Sequence, residues 1–242
     1  MAHVLIPLPD TDFDVTEVAV PWRLLTRKGH RVSFATERGD KPPSADPLLL
    51  SGVLFGKLGA EPEPKSFYAE MIASPEFRAP LAWESLNMNH FEGLILPGGH
   101  APGMRQYLGS VVIQQKIRDF FLLKRPVGAI CHGVLVAARA GVLKGHKTTC
   151  LPMYMERLAY FISAWKLGTY YRTYPAYVEE EVKAALDDPG QFVRGPLNVA
   201  ARGTQTNDAP AFVVEDGRYI SARWPGDAYL FARRFLARLR LK

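Results

Sequence analysis

The sequence predicts an α/β chain, a three-layer sandwich around a mainly parallel sheet, and three observations carry that prediction. Short apolar runs alternate with segments of helical period, as in a chain of strand–helix–strand units. Within the runs successive residues are apolar, which is expected of strands covered on both faces. The 242 residues are 48% apolar and 22% charged, the balance of an ordinary globular chain. Disorder and fibrous repeats are excluded by the same figures.

Taken in order, His3 to Leu8 is expected as a buried strand, Val15 to Lys28 as a helix, and Arg31 to Thr36 as a second strand after Gly29. Pro21 lies inside the helix and lacks the N–H that would pair with the Glu17 carbonyl, so a kink is expected there. Residues 41–90 break the rhythm with seven of the 19 prolines, and with Phe67, Tyr68, Phe77 and Trp83; they are expected as an insert over the sheet. Gly93 to Pro97 reads as a third strand, followed by a glycine-rich turn and a helix with Ile113, Ile117, Phe120 and Phe121 on one side. Val127 to Ile130 runs straight into Cys131-His132-Gly133 and a helix from Val134 to Ala140. Residues 151–203 form a second irregular stretch, holding Tyr170, Tyr171, Arg172, Thr173 and Tyr174 and one helical piece near Val178 to Leu186. Asp216-Gly217 between the alternating apolar residues of 211–221 signals a hairpin. The expectation is one domain over 1–242 with inserts at about 41–90 and 151–203.

The formal charge of +6 is unevenly placed, because Arg233, Arg234, Arg238, Arg240 and Lys242 crowd the C-terminus; without these five it falls to +1. A basic last turn suits a terminal helix, and no recognition motif accompanies it, so no nucleic-acid partner is expected. The uncharged stretch from Val127 to Ala138 is a dozen residues long, short of the roughly 20 a bilayer requires. With no basic, apolar leader at the start, a cytoplasmic location is expected. Two cysteines, Cys131 and Cys150, cannot make a disulfide framework or a four-thiolate zinc site.

Ala129-Ile130-Cys131-His132-Gly133 lies where a strand meets a helix, the place of a nucleophile elbow. The helix N-terminus there favours a thiolate and a depressed thiol pKa; the other reading is a buried core cysteine. Leu94-Ile95-Leu96-Pro97-Gly98-Gly99-His100 is a second strand-to-turn junction. Its Gly98 and Gly99 amides, with that of His132, form either an oxyanion hole or a simple turn. His90 and His100 are too isolated for a metal claim, and no H-E-x-x-H, C-x-x-C, P-loop or G-x-G-x-x-G motif is present. Pocket candidates are His100, Trp22, Tyr154, Tyr170, Arg172 and Trp224.

Glu17, Pro97-Gly98-Gly99-His100 and Ala129-Ile130-Cys131-His132-Gly133, in this order, resemble the ThiJ/PfpI superfamily of the class I glutamine-amidotransferase-like fold, over nearly the whole chain. The similarity extends to Ser221-Ala222-Arg223-Trp224-Pro225-Gly226-Asp227, as a last strand entering a last helix with Asp227 as N-cap. The resemblance implies a flavodoxin-like sandwich, Cys131 as nucleophile and Glu17 touching its sulfur. An ionised Glu17 would repel a thiolate, so its carboxyl should be neutral, with a raised pKa. His132 would act as acid or base. In the larger members, of the heat-inducible chaperone and glyoxalase III branch, an acid from a later loop orients that histidine, and the matching position is Glu156.

A glutaminase would need a downstream His-x-Glu, and no histidine follows His146. The leading expectation is a cofactor-independent enzyme for small reactive carbonyls, of glyoxalase III or deglycase type, working as a homodimer. The alternatives are a redox-sensitive holdase chaperone and a thiol-dependent amide or isonitrile hydrolase.

Overall fold

The computed structural model describes residues 1–172, 174–198 and 200–240; Thr173 of the aromatic run and Lys242 of the basic terminus lie outside the described residues. The apolar runs become strands β1 (His3–Pro7), β2 (Arg31–Thr36), β4 (Gly93–Leu96) and β5 (Val127–Ile130), and the Asp216-Gly217 hairpin joins β6 (Val213–Asp216) to β7 (Tyr219–Ala222). With the two-residue β3 (Leu81–Ala82) they form one sheet in the order β3-β2-β1-β4-β5-β7-β6. Every neighbouring pair is parallel except β6–β7. β4, β5 and β7 are buried along their whole length, and β4 and β5 accordingly read as continuous apolar runs rather than alternating ones. From β1 the chain builds outward through β2 and β3, then returns to β4 on the other side of β1. That reversal puts a crevice at the C-terminal ends of β1 and β4, where α/β proteins place ligands.

Helix α1 (Val15–Arg27) starts at Asp14, whose carboxylate accepts from the Thr16 and Glu17 amides at 2.8 and 3.0 Å. It runs through Pro21 without interruption. Residues 41–90 are more than an insert: after α2 (Pro47–Ser51), helices α3 (Pro62–Ala73) and α4 (Pro75–Arg78) lead into β3. α3 packs on α1, and β3 pairs in register with β2 through Ala35–Leu81 and Thr36–Ala82. Phe77 meets Phe34 edge-on at 5.0 Å and Trp83 donates to the Ala35 carbonyl at 3.1 Å, so the aromatic residues of this segment fill the sandwich. A strand of two residues leaves almost no periodicity to read.

Beyond β4 come α5 (Met104–Leu108) and α6 (Val111–Leu122), and beyond β5 the short α7 (Gly133–Arg139). Residues 151–203 are not irregular throughout. They contain a 15-residue helix, α8 (Met153–Leu167), where an irregular stretch is expected, before the expected α9 (Val178–Ala184). The chain closes with α10 (Ala228–Arg238), packed on α1, β5 and β7. Asp227 occupies the N-cap position but makes no side-chain cap bond. Its carboxylate takes the buried Arg223 guanidinium at 2.9 and 3.0 Å and the Phe212 amide at 2.8 Å, tying β7 to α10. No helix among the described residues is long and apolar enough to cross a membrane.

Candidate active site

β5 ends at Ile130, and the next residue turns the chain into α7 with φ +57° at Cys131. A left-handed conformation at a non-glycine residue costs of order 1–3 kcal/mol and persists only where the surroundings impose it. Here the Cys131 amide still bonds to Ala222 of β7 at 3.0 Å, while α7 must start immediately beside β4. Gly133 makes that start possible, since a Cβ there would lie 2.0 Å from the Leu96 carbonyl oxygen. The expected elbow is present.

The Gly98 peptide clamps α1 to this turn. Its carbonyl accepts from the Asp14 amide at 2.9 Å and its N–H donates to Glu17 Oε2 at 2.7 Å. The Gly98 amide is therefore occupied, which corrects its expected place in an oxyanion hole; Gly99 lines the cavity instead. Glu17 is fully buried and its other oxygen, Oε1, has no hydrogen-bond donor among the described residues. Burial first, and the neighbouring Asp14 second, push its carboxyl well above the usual carboxylate range. Asp14, buried at the head of α1, is itself raised to about 6 by burial.

The Cys131 thiol is pushed well up by burial, by Glu17 and by Asp14, more than the His132 amide at the sulfur pulls it down. This reverses the expected depression: α7 is only seven residues long, and its N-terminus is outweighed by lost solvent and two acids. Glu17 raises the Cys131 thiol, whereas Cys131 draws Glu17 down, against the larger upward push of burial and Asp14. His132 Nδ1 lies 3.5 Å from the sulfur, and its ring meets the His100 ring edge-on at 4.6 Å. Burial lowers both imidazoles, His132 well below its usual value and His100 to about 4, so both are neutral at pH 7. The ligand atoms of His100, Cys131 and His132 lie within 4.8 Å of one another, close enough to share one metal ion. His100 is thus not isolated, as the sequence alone suggested.

Glu156 does not orient His132. It sits buried in the first turn of α8, accepts from the Val178 amide at 3.0 Å and faces Arg172 at 3.5 Å, so its carboxylate is spent on the start of α9. Burial raises it to about 7. Of the six pocket candidates, His100 and Trp224 line the cavity over Cys131. Tyr154 bonds instead to the Asn198 backbone at 3.2 Å, Trp22 to Glu76 at 3.0 Å, and Arg172 to the Pro175 carbonyl and to Glu156. The Tyr170 and Tyr171 hydroxyls donate to Asp46 at 3.2 and 2.9 Å. Asp46 also caps α2, so one carboxylate fastens the two rim segments together. Asp14 and Arg202 line the cavity without having been singled out in the sequence. Asp14-Val15-Thr16-Glu17 does carry the capping-box spacing that marks Asp14, although Glu17 reaches across to Gly98 rather than back to its own helix.

A family model described as ThiJ/PfpI family-like matches residues 8–196. An uncharacterised protein of Schizosaccharomyces pombe is 32% identical over 177 residues, 70% of this chain and 66% of that protein. A deglycase of Pyrococcus abyssi is 27% identical over 98% of this chain and 99% of its own. Among solved structures, glyoxalase III from Candida albicans superposes with a TM-score of 0.69 at 18% identity, covering 98% of this chain and 96% of the other. With the elbow, the glycine turn and the parallel sheet in place, the family match over most of its length establishes that the chain belongs to the ThiJ/PfpI family.

Proposed function

We propose that the protein is an enzyme acting on small reactive carbonyls, with Cys131 as its nucleophile. The observation that carries this reading is the set of groups around one strained cysteine: a carboxyl held protonated, a neutral imidazole at 3.5 Å and a cavity reaching the sulfur. A deglycase and a glyoxalase III among the relatives lend support.

In this reading the aldehyde carbon of a 2-oxoaldehyde meets the Cys131 sulfur. The thiol proton passes to His132 as the C–S bond forms, and the carbonyl oxygen takes up a proton to give a hemithioacetal. Glu17, held neutral, offers its proton to the sulfur side without placing a second negative charge there. The Gly99 amide at the cavity wall replaces Gly98 as a donor to the developing oxyanion. Removal of the C1 proton and its return to C2 converts the hemithioacetal to a 2-hydroxy thioester. His100 lines the cavity and His132 does not, so His100 is the better placed for that transfer. Water then cleaves the C–S bond, releasing a 2-hydroxy acid and restoring the thiol. The carbons exchange oxidation states internally and no external oxidant is consumed.

The test is conversion of methylglyoxal to lactate by wild type and Cys131→Ala. Turnover that survives loss of the thiol overturns the reading. One observation favours a second reading, a holdase: Phe55 and Trp165 stack at 6.1 Å and Phe161 is 82% exposed. Suppression of client aggregation that persists in Cys131→Ala, with no turnover by either protein, would support it.

A further inference from the structure

The cavity above Cys131 changes character along its depth in a way that a three-carbon substrate does not require. Its inner end is polar, formed by the buried Asp14, Gly99 and Cys131 and the half-buried His100. Its remaining walls are mainly apolar, with Leu49, Val53 and Leu58 from the α2 rim and Met155, Leu158 and Ile162 from α8, beside the polar Ser163 and Arg202. The three α8 residues recur at i, i+3 and i+7 and so form a stripe along one face of the helix. Such a stripe is ordinarily buried against a core. Here Leu158 and Ile162 keep 41% and 37% of their surface exposed, and Leu58 keeps 54%.

Apolar side chains left partly wet around a cleft, over a few polar groups at its base, are the composition of a small-molecule site. The cavity measures about 210 Å³. A closed apolar cavity of about 150 Å³ holds benzene, so by proportion this one has room for roughly eight carbon atoms. The walls are held in place by the Asp46 bonds to Tyr170 and Tyr171, which join the α2 side of the cleft to the segment following α8. The nucleophile at the base dictates that the occupant carries its electrophilic carbon at one end.

We propose that the substrate is a carbonyl compound with an apolar chain or ring of about five to eight carbons, its carbonyl at the Cys131 sulfur and its hydrocarbon between α8 and the Leu49–Leu58 rim. The proposal rests on the carbonyl reading above and deepens it. Each methylene moved from water into the cleft should speed reaction roughly fourfold when fully buried, and less when partly wet.

Two series test it. In the first, Cys131 is alkylated by N-methyl, N-butyl, N-hexyl and N-dodecyl iodoacetamide, with rates read by mass spectrometry and divided by those of glutathione. The corrected rate should rise at least tenfold from methyl to hexyl and then level off. Leu158→Asp and Ile162→Asp should collapse that ratio, whereas Phe161→Ser, an exposed residue outside the cavity, should preserve it. In the second, kcat/KM is measured for methylglyoxal, phenylglyoxal and hexylglyoxal, and should increase with apolar size. A flat alkylation series overturns the apolar site itself. A steep alkylation series with no carbonyl turned over overturns the carbonyl reading while leaving apolar recognition standing, so the two failures are distinguishable.

Discussion

Replacing Gly133 by alanine should damage both the stability of the protein and the reactivity of Cys131. The added methyl would sit 2.0 Å from the Leu96 oxygen, 2.6 Å from the Leu96 carbonyl carbon and 2.8 Å from the Pro97 oxygen. Ordinary contact begins near 3.4 Å, so the nearest approach falls about 1.4 Å short. All three atoms are backbone at the end of β4, so no flexible side chain can turn aside. Overpacking of this kind costs about 1–3 kcal/mol. For a chain of this size that is roughly 2–12 °C in Tm. The chemical effect should be larger. If α7 retreats by even 1 Å it carries Cys131 and His132 away from Glu17, and a displacement on that scale costs on the order of 100-fold in rate. The assays are a thermal melt by circular dichroism and the second-order rate of Cys131 alkylation beside methylglyoxal turnover. Gly141→Ala is the control: its φ is +73° and nothing lies within 4 Å, so it adds backbone strain of about 1–2 kcal/mol without moving the elbow. A Gly133→Ala protein that melts and reacts like wild type would refute the idea that close approach to β4 positions the nucleophile.

Four further outcomes are expected. Glu17→Gln removes a titrating neighbour of the sulfur while keeping an acceptor for Gly98, so the thiol titration followed at 240 nm should move down and turnover should fall; an unchanged titration would mean the two groups are not coupled. Glu156 is raised to about 7 in the folded protein, so its protonated form stabilises the fold below pH 4.5 and that contribution is lost as pH rises towards 7; urea titrations should show wild type losing up to about 3 kcal/mol relative to Glu156→Gln across this window, with methylglyoxal turnover little affected. Asp227→Ala strands the wholly buried Arg223 guanidinium and should cost about 3–5 kcal/mol, part of which Arg223→Met in the same chain restores; equal midpoints for the single variant and wild type would count against a structural ion pair. Limiting iodoacetamide should label Cys131, which lines the cavity, before Cys150, which is enclosed and does not; preferential labelling of Cys150 would remove the basis for a nucleophilic Cys131.

The central strands were legible because each is an uninterrupted apolar run between a turn residue and a helix, and α1 because its helical period stops at Gly29. The elbow was legible because only Cys131 and His132 separate β5 from its helix. α8 was hidden because few of its apolar residues face the core: Met155 reaches it, but Leu158 and Ile162 line a cleft and Phe161 and Trp165 are exposed, so no clean polar face separates them. Glu156 was misread because only the positions along the chain could be counted, and what decides its role is α9, which arrives 22 residues later to present the Val178 amide. The Gly98 amide was misassigned for a similar reason. Which acceptor takes an N–H depends on a carboxylate 81 residues away.

The two tyrosine bonds to Asp46 span 124 and 125 residues of chain, yet they fasten segments that stand outside the sheet. Breaking them separates α8 from the α2 side of the cleft without disturbing a strand pair. Such an opening is a local excursion, well below global unfolding in free energy. Hydrogen exchange over 153–167 should accordingly be faster than over β4 and β5, and weak denaturant should accelerate it before the melt begins. During each excursion the sulfur meets bulk water and whatever oxidant or electrophile the water carries. The protein then loses control over what reaches Cys131 long before it loses its fold.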